Sequence, residues 1–150
     1  MRNLLVLLAA AGSAALLAGA FAFQYIGGMA PCPLCLLQRW PHAAAIVVGA
    51  LALRFAGRIL PMLGALAAAT TSAIALYHTG IERKWWAGPT TCTSQGISGR
   101  TPEELLNQIL AAPLVRCDEV PWEMFTLSMA SWNGIASAGL ALVWLIAARR

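Results

Sequence analysis

Charged residues are scarce in this chain of 150 residues, and their scarcity excludes an ordinary soluble protein. They make up 11% of the sequence, hydrophobic residues make up 59%, and the mean hydropathy is +0.70. Soluble domains carry roughly 25% charged residues, which help to cover their surface in water. The composition therefore predicts an integral membrane protein, and the length fits one domain spanning residues 1–150.

Basic runs and the motifs of bound cofactors are also lacking. The net charge is +4, but the basic residues occur singly or in pairs, so they form no stripe that could follow a phosphate backbone. No haem, flavin or nucleotide-binding motif is found. These absences disfavour a nucleic-acid partner and leave the membrane as the source of any redox cofactor.

Four apolar segments of membrane-spanning length are present. They cover about residues 4–23, 34–55, 60–80 and 125–148. The first runs without a charge, and at about 1.5 Å per residue it crosses the roughly 30 Å of a bilayer core. The sequence thus predicts an all-α membrane protein, a four-helix bundle with one long loop at about residues 81–124.

The first segment has a second interpretation as a cleaved secretory signal. Met1–Asn3 is similar to the basic start of such a signal, and Ala18–Ala20 to its cleavage site. Its apolar stretch is longer than the usual 7–15 or so residues, which favours a retained helix.

Small residues at four-residue spacing predict close packing between helices, although alanine-rich helices also produce this spacing by chance. The positions are Ala11, Ala15 and Gly19 in the first segment, Ala45 and Gly49 in the second, and Gly64, Ala68 and Ser72 in the third.

The distribution of basic residues predicts the orientation of the spans. One side carries Arg2, Arg54, Arg58, Arg149 and Arg150, and the other carries Arg39, Arg83, Lys84, Arg100 and Arg116 with all six acidic residues. The first set is concentrated in short loops and tails, which are typical of the cytoplasmic side. Both termini are therefore expected in the cytoplasm. All four cysteines then lie at or beyond the outer surface, where disulfides persist.

The long loop contains a short helix pattern. Thr101 and Glu104 form a capping box, with Pro102 at the first helical position. The large aliphatic residues that follow share one face: Leu105, Leu106, Ile109 and Leu110. Such a helix is expected to lie in contact with membrane lipid at the interface, the alternative being a solvated loop helix.

The stretch CPLCLLQRW from Cys32 to Trp40 carries chemistry typical of a redox pair. Pro33 is suited to the first position of a helix, which makes Cys32 the N-cap and puts Cys35 in the first turn. The helix N-terminus stabilises a thiolate, the reactive form of cysteine. Arg39 follows Cys35 by four residues and lies on the same face. It is expected to stabilise that thiolate or a ligand beside it, the alternative being a lipid headgroup anchor.

A zinc site is disfavoured because the second pair of cysteines is not closely spaced. Cys92 and Cys117 stand 25 positions apart, and His42 and His78 do not complete a finger-like spacing. No metal is therefore expected. Two exchangeable pairs can instead pass a disulfide between them through mixed disulfides, and a lipid-soluble quinone could accept the electrons.

Three stretches of the sequence together resemble the disulfide bond formation protein B (DsbB) family of bacterial inner-membrane proteins. They are CPLCLLQRW after the first span, YHTGIERKWWAGPTTC closing the third, and RCDEVPWEMFTLSMASWNG leading into the fourth. The resemblance covers nearly the whole chain. It implies a thiol:quinone oxidoreductase that oxidises DsbA, a periplasmic thioredoxin-fold protein, and reduces ubiquinone or menaquinone.

The resemblance also implies roles for individual residues. Cys92 would form the mixed disulfide with the DsbA-like partner, and Cys117 would pass the electrons through a transient link to Cys32. Cys35 would face the quinone, with Arg39 stabilising both the cysteine and the quinone ring. His78 would border the quinone.

Two alternatives remain open. One is a relay that serves another thioredoxin-fold partner or runs toward reduction, as in relatives of vitamin K epoxide reductase. The other is a non-catalytic four-helix subunit whose cysteines staple its loop.

Overall fold

Four long helices make up most of the fold. The computed structural model describes residues 1–90, 92–93, 101–111 and 115–150, without the side chains of residues 105, 108, 109 and 111. The helices are α1 (Arg2–Tyr25), α2 (Pro33–Arg54), α3 (Ile59–Glu82), α4 (Pro102–Ala111) and α5 (Met129–Arg149). All but α4 are long and apolar enough to cross a membrane. The predicted all-α class with four spanning helices and a short loop helix is confirmed.

The bundle core is built where small residues let helices approach a tryptophan. Trp144 of α5 is fully buried, and a Cβ added at Gly64 of α3 would lie 2.6 Å from its indole ring. Gly49 of α2 packs against Ala10 of α1 in a similar way. Close approach of α3 to α5 and of α1 to α2 therefore depends on these glycines.

The predicted packing face of α1 differs from the one observed. The residues of α1 that are buried are Val6, Ala9 and Ser13, whereas Ala11 and Ala15 are exposed. No atom lies within 4 Å of a Cβ added at Gly19. The prediction of close helix packing along Ala11, Ala15 and Gly19 is therefore wrong, because the C-terminal half of this face borders open space.

The helix α5 begins at Met129 rather than at the expected Phe125. Before it, β1 (Glu123–Met124) and β2 (Leu127–Ser128) form an antiparallel hairpin. Its two turn residues have positive φ values, 53° at Phe125 and 62° at Thr126, as tight hairpin turns require. Ser128 then caps α5 by accepting a hydrogen bond from the backbone of Ser131, so the helix begins only after the hairpin closes.

The loop helix α4 has the predicted capping box. The backbone N–H of Thr101 donates to Glu104 Oε2 over 2.9 Å, and the backbone N–H of Glu104 donates to Thr101 Oγ1 over 3.3 Å. Leu106 and Leu110 are both exposed, which suits contact with lipid at the membrane interface. The side chains of Leu105 and Ile109 lie outside the described part of the chain.

Candidate redox site

The cysteine pair of the CPLC stretch sits at the start of α2. Pro33 is the first helical residue, and Sγ of Cys32 caps the helix by accepting a hydrogen bond from the Cys35 backbone over 3.1 Å. The Cys32 thiol is free and donates to Sγ of Cys35 over 2.7 Å. This hydrogen bond, together with burial, raises the pKa of the Cys32 thiol well above its usual range. Cys35 is therefore placed to carry the negative charge of the pair.

A histidine and a glutamate from the end of α3 complete the surroundings of Cys32. The Nε2 atom of His78 lies 3.7 Å from Sγ of Cys32 and 3.8 Å from Oε1 of Glu82. Both side chains are only 4% exposed. The hydroxyl of Ser128, the N-cap of α5, donates a short hydrogen bond to the other carboxylate oxygen of Glu82. These contacts put one imidazole nitrogen between a thiol and a carboxylate.

A chain of buried amides fixes the other face of the His78 ring. Gln38 Nε2 lies 3.1 Å from His78 Nδ1, and Gln38 Oε1 accepts from Asn133 Nδ2 over 2.7 Å. Asn133 Oδ1 in turn lies 2.9 Å from Nε2 of His42. Because Gln38 donates to Nδ1, the neutral His78 ring carries its proton on Nε2, facing Cys32 and Glu82.

The second cysteine pair lies against the first. Cys92 and Cys117 form a disulfide, with exposures of 1% and 0% respectively. They share one buried cluster with Cys32 and Ile81, and the backbone of Cys117 lies beside the His78 ring. The two pairs are thus packed together, and an outside protein reaches the loop disulfide only if this segment opens.

A cavity of about 680 Å³ opens beside Cys35. Its walls come from α1, α2, the ends of α3 and α5, and residues 115–122 of the loop. The lining includes Ala15, Gly19, Phe23, Cys32, Cys35, Gln38, Arg39, His42, His78, Glu82, Trp122 and Asn133. Phe23 and Trp122 pack with their ring centroids 5.4 Å apart. The small residues Ala15 and Gly19 of α1 face this cavity and leave room for a small-molecule ligand.

Arg39 forms part of the cavity wall and is held by α1. It donates to Gln24 Oε1 over 2.6 Å and to the Ala20 carbonyl over 3.4 Å, and its guanidinium lies 4.8 Å from the Phe21 ring centroid. Its Nε is buried without a partner, as is Nδ1 of His42. An unsatisfied buried polar group costs about 1–3 kcal/mol, so a ligand whose binding let it reach either atom would recover part of that cost.

All six residues singled out from the sequence lie in this one region. Cys32, Cys35, Arg39 and His78 line the cavity, while Cys92 and Cys117 pack behind Cys32. Sequence reasoning did not identify Glu82, Gln38, Asn133 or His42 as parts of the site. The acidic residue four positions after His78 was a signal for Glu82, because that spacing puts both on one helix face.

Comparison with known proteins agrees with this arrangement. A family model described as disulfide bond formation protein DsbB matches residues 2–147. Disulfide bond formation protein B of Herminiimonas arsenicoxydans is 35% identical over 140 residues, which cover 91% of this chain and 84% of that protein. The Methylococcus capsulatus protein of the same name is 34% identical over 146 residues, covering 89% and 85% respectively. No solved structure matches the chain.

The family match extends over all four spanning helices and both cysteine pairs. The name of the family and of these relatives indicates disulfide formation, which the two adjacent pairs can perform by thiol–disulfide exchange. The chain therefore belongs to the DsbB family and is a multi-pass membrane oxidoreductase that forms disulfide bonds.

Proposed function

We propose that this protein oxidises a DsbA-like periplasmic thioredoxin-fold dithiol protein and passes two electrons to a membrane quinone. It would do so in the bacterial inner membrane, with both termini in the cytoplasm and the cysteine pairs on the periplasmic side. The observation that carries the proposal is the cavity, because Cys35 and Arg39 both line it beside the first turns of a membrane-spanning helix.

The residues of the cavity fit a quinone headgroup. A quinone ring is flat and largely apolar and carries two carbonyl acceptors. The α1 wall at Gly19 is open, with no atom within 4 Å of an added Cβ. Arg39 and His42 each hold a buried nitrogen without a partner. Arg39 would donate to a carbonyl, while the neutral His42 ring, bonded through Nε2–H to Asn133, would accept from a reduced ring. A bound quinone would supply the capacity to take up two electrons and two protons.

The packing of the two cysteine pairs supports the direction of exchange. A partner thiolate would attack the Cys92–Cys117 disulfide at Cys92, and Cys117 would leave as a thiolate. Cys117 would then attack Cys32 of the oxidised CPLC pair, from which Cys35 leaves as a thiolate facing the cavity. The partner's second thiolate would attack the mixed disulfide, which leaves the partner oxidised and frees Cys92 as a thiolate. Attack of Cys92 on the Cys117–Cys32 link would then restore the loop disulfide and release Cys32 as a thiolate. The shared buried cluster of Cys32, Cys92 and Cys117 supports such a short transfer.

Glu82 and His78 are suited to move the protons that accompany this exchange. Reoxidation of the Cys32–Cys35 dithiol releases two protons in a buried site. His78 Nε2 is within 4 Å of both Cys32 and Glu82, so its Nε2–H proton can pass to the Glu82 carboxylate while the same nitrogen takes up the proton of Cys32. The Glu82 side chain also lines the cavity, and from there it can deliver the proton to the reduced quinone.

Arg39 and the start of α2 stabilise the negative charge that remains on Cys35. The sulfur lies in the first turn of α2, where the helix dipole favours an anion. Arg39 adds a permanent positive charge one turn later along the same face.

The experiment is quinone reduction by the full chain purified in detergent. Reduced DsbA-like protein is supplied as the electron donor, ubiquinone and menaquinone analogues are tested in turn, and each cysteine is changed singly to alanine. We expect turnover with the parent protein and none with any single variant. The matched control is Thr70→Ala, which removes an exposed hydroxyl that donates to the Leu66 carbonyl and does not line the cavity.

Sustained turnover in all four cysteine variants would refute the relay. A protein that exchanges disulfides with the partner but reduces neither quinone would instead indicate a different electron acceptor. Loss of exchange with the DsbA-like protein but not with another thioredoxin-fold protein would indicate a different partner.

A further inference from the structure

We propose that the reduced CPLC pair, His78 and Glu82 form a binding site for a thiophilic divalent cation such as Zn²⁺, which would reversibly block the enzyme. The ligand atoms of Cys32, Cys35 and His78 all lie within 4.8 Å of one another. The inference requires only the dithiol form of the pair, and it holds whether or not a quinone is the electron acceptor.

The distances match the edges of a tetrahedral zinc site. With Zn–S bonds of about 2.3 Å and Zn–N bonds of about 2.0–2.1 Å, a sulfur and a nitrogen ligand lie about 3.5 Å apart. The observed distance from Cys32 Sγ to His78 Nε2 is 3.7 Å. The two sulfurs are 2.7 Å apart and would have to separate by about 1 Å to reach the tetrahedral edge. Cys35 can provide this movement because its side chain borders the open cavity.

Glu82 lies outside the group of ligand atoms that are within 4.8 Å of one another, and a movement toward the sulfurs would make it the fourth ligand. Its Oε1 atom lies 3.8 Å from His78 Nε2, which is close to the spacing of two ligands around one ion. The hydrogen bond from Ser128 to its other oxygen orients the carboxylate, as outer groups commonly do at metal sites. Two thiolates, an imidazole and a carboxylate make a donor set that zinc accepts.

Binding requires one rearrangement around His78. A metal on Nε2 needs the ring proton on Nδ1, and Nδ1 now accepts from Gln38 Nε2. Rotation of the Gln38 amide would present its oxygen to Nδ1–H instead. A carboxylate at this position would need no rotation, so Gln38→Glu is expected to increase metal affinity through a carboxylate–histidine–zinc arrangement.

The consequence for catalysis follows from the ligands. A bound cation holds both sulfurs as thiolates and displaces the two protons, so the pair can neither exchange with Cys117 nor lose electrons. The oxidised pair offers no thiolate and does not bind. The cation would therefore trap the reduced enzyme until a chelator removes it.

The test is a titration of the purified full-length protein with Co²⁺ and Zn²⁺, in the reduced and the oxidised form. Co²⁺ reports sulfur ligation through its thiolate charge-transfer absorption, and Zn²⁺ competition gives the affinity. We expect one ion per reduced chain at the CPLC pair, with none bound there after oxidation. His78→Ala is expected to weaken Zn²⁺ binding at least about tenfold and Gln38→Glu to strengthen it.

The matched control is Glu119→Gln, which removes another carboxylate that lines the cavity but is paired with Arg116. Its affinity should equal that of the parent, whereas Glu82→Gln should bind more weakly. The Cys92→Ser/Cys117→Ser protein removes the loop thiols as competing ligands. Equal Zn²⁺ affinity in the parent, His78→Ala and Gln38→Glu proteins would overturn the proposal, as would equal binding to reduced and oxidised protein.

Discussion

Replacing Arg39 by histidine should weaken binding of the quinone much more than binding of the partner protein. The guanidinium lines the cavity, is held by Gln24 and Ala20 of α1, and has an unpartnered Nε. Histidine is too short to keep these contacts. A hydrogen bond from a charged donor contributes about 1.5–3 kcal/mol, and about 1.4 kcal/mol corresponds to a tenfold change in affinity. The KM for quinone should therefore rise about 10- to 100-fold.

The KM for the partner should stay unchanged in Arg39→His, because the two hydrogen bonds and the ring contact of Arg39 lie on α1, whereas the proposed partner would act on the loop disulfide. Steady-state rates are measured with quinone varied at saturating reduced partner, and then with the partner varied at saturating quinone. Arg83→His is the matched control. Arg83 is a second guanidinium at the same end of the bundle, but it donates to the Thr126 carbonyl and does not line the cavity.

An unchanged KM for quinone in Arg39→His would refute this reasoning. It would return Arg39 to the alternative role of a lipid headgroup anchor. A rise of equal size in Arg83→His would also count against it, since the loss would then reflect charge at the membrane surface rather than contact in the cavity.

Three further predictions concern the cavity, the core and the proton path. Gly19→Leu should raise the KM for quinone about tenfold, or about 1.4 kcal/mol of binding energy. Its melting temperature should not fall, because no atom lies within 4 Å of the new Cβ; an unchanged KM would show that the ligand lies elsewhere. Gly64→Ala should destabilise the protein by about 1–3 kcal/mol in thermal unfolding, because its Cβ would lie 2.6 Å from the Trp144 ring; stability equal to that of Gly19→Ala would contradict the packing. Glu82→Gln keeps an oxygen for Ser128 but cannot accept a proton, so kcat for quinone reduction should fall on the order of 100-fold. Disulfide exchange with the partner, measured by thiol trapping in the same variant, should be unaffected. An unchanged kcat would remove Glu82 from the proton path.

The spanning helices and the local chemistry of the CPLC stretch could be predicted from the sequence. Long apolar segments predict spans because a bilayer leaves few alternatives for the backbone. Pro33 predicts that Cys32 caps α2, and the Thr101–Glu104 pattern predicts the start of α4. These features depend on residues that are neighbours in the sequence.

The contacts between helices could not be predicted in the same way. His78 approaches Cys32 because of the particular orientation of α3 about its own axis. That orientation is set by the packing of Gly64 on Trp144 and by the remaining helix contacts. The sequence spacing of cysteines and histidines disfavoured a zinc site, but this rule does not apply to a ligand such as His78, which another helix brings to the cysteine pair. The small residues of α1 gave the wrong packing face, because lining a cavity and packing against a helix both require small side chains.

The measurement that tests the central claim most directly is a single turnover of the CPLC pair without any partner. The Cys92→Ala/Cys117→Ala protein is reduced, freed of reductant and mixed with quinone under anaerobic conditions. Our account predicts one quinone reduced per chain as the Cys32–Cys35 disulfide forms, and none when Cys35 is also changed to alanine. Quinone reduction that continues without Cys35, or a dithiol that quinone leaves reduced, would contradict it.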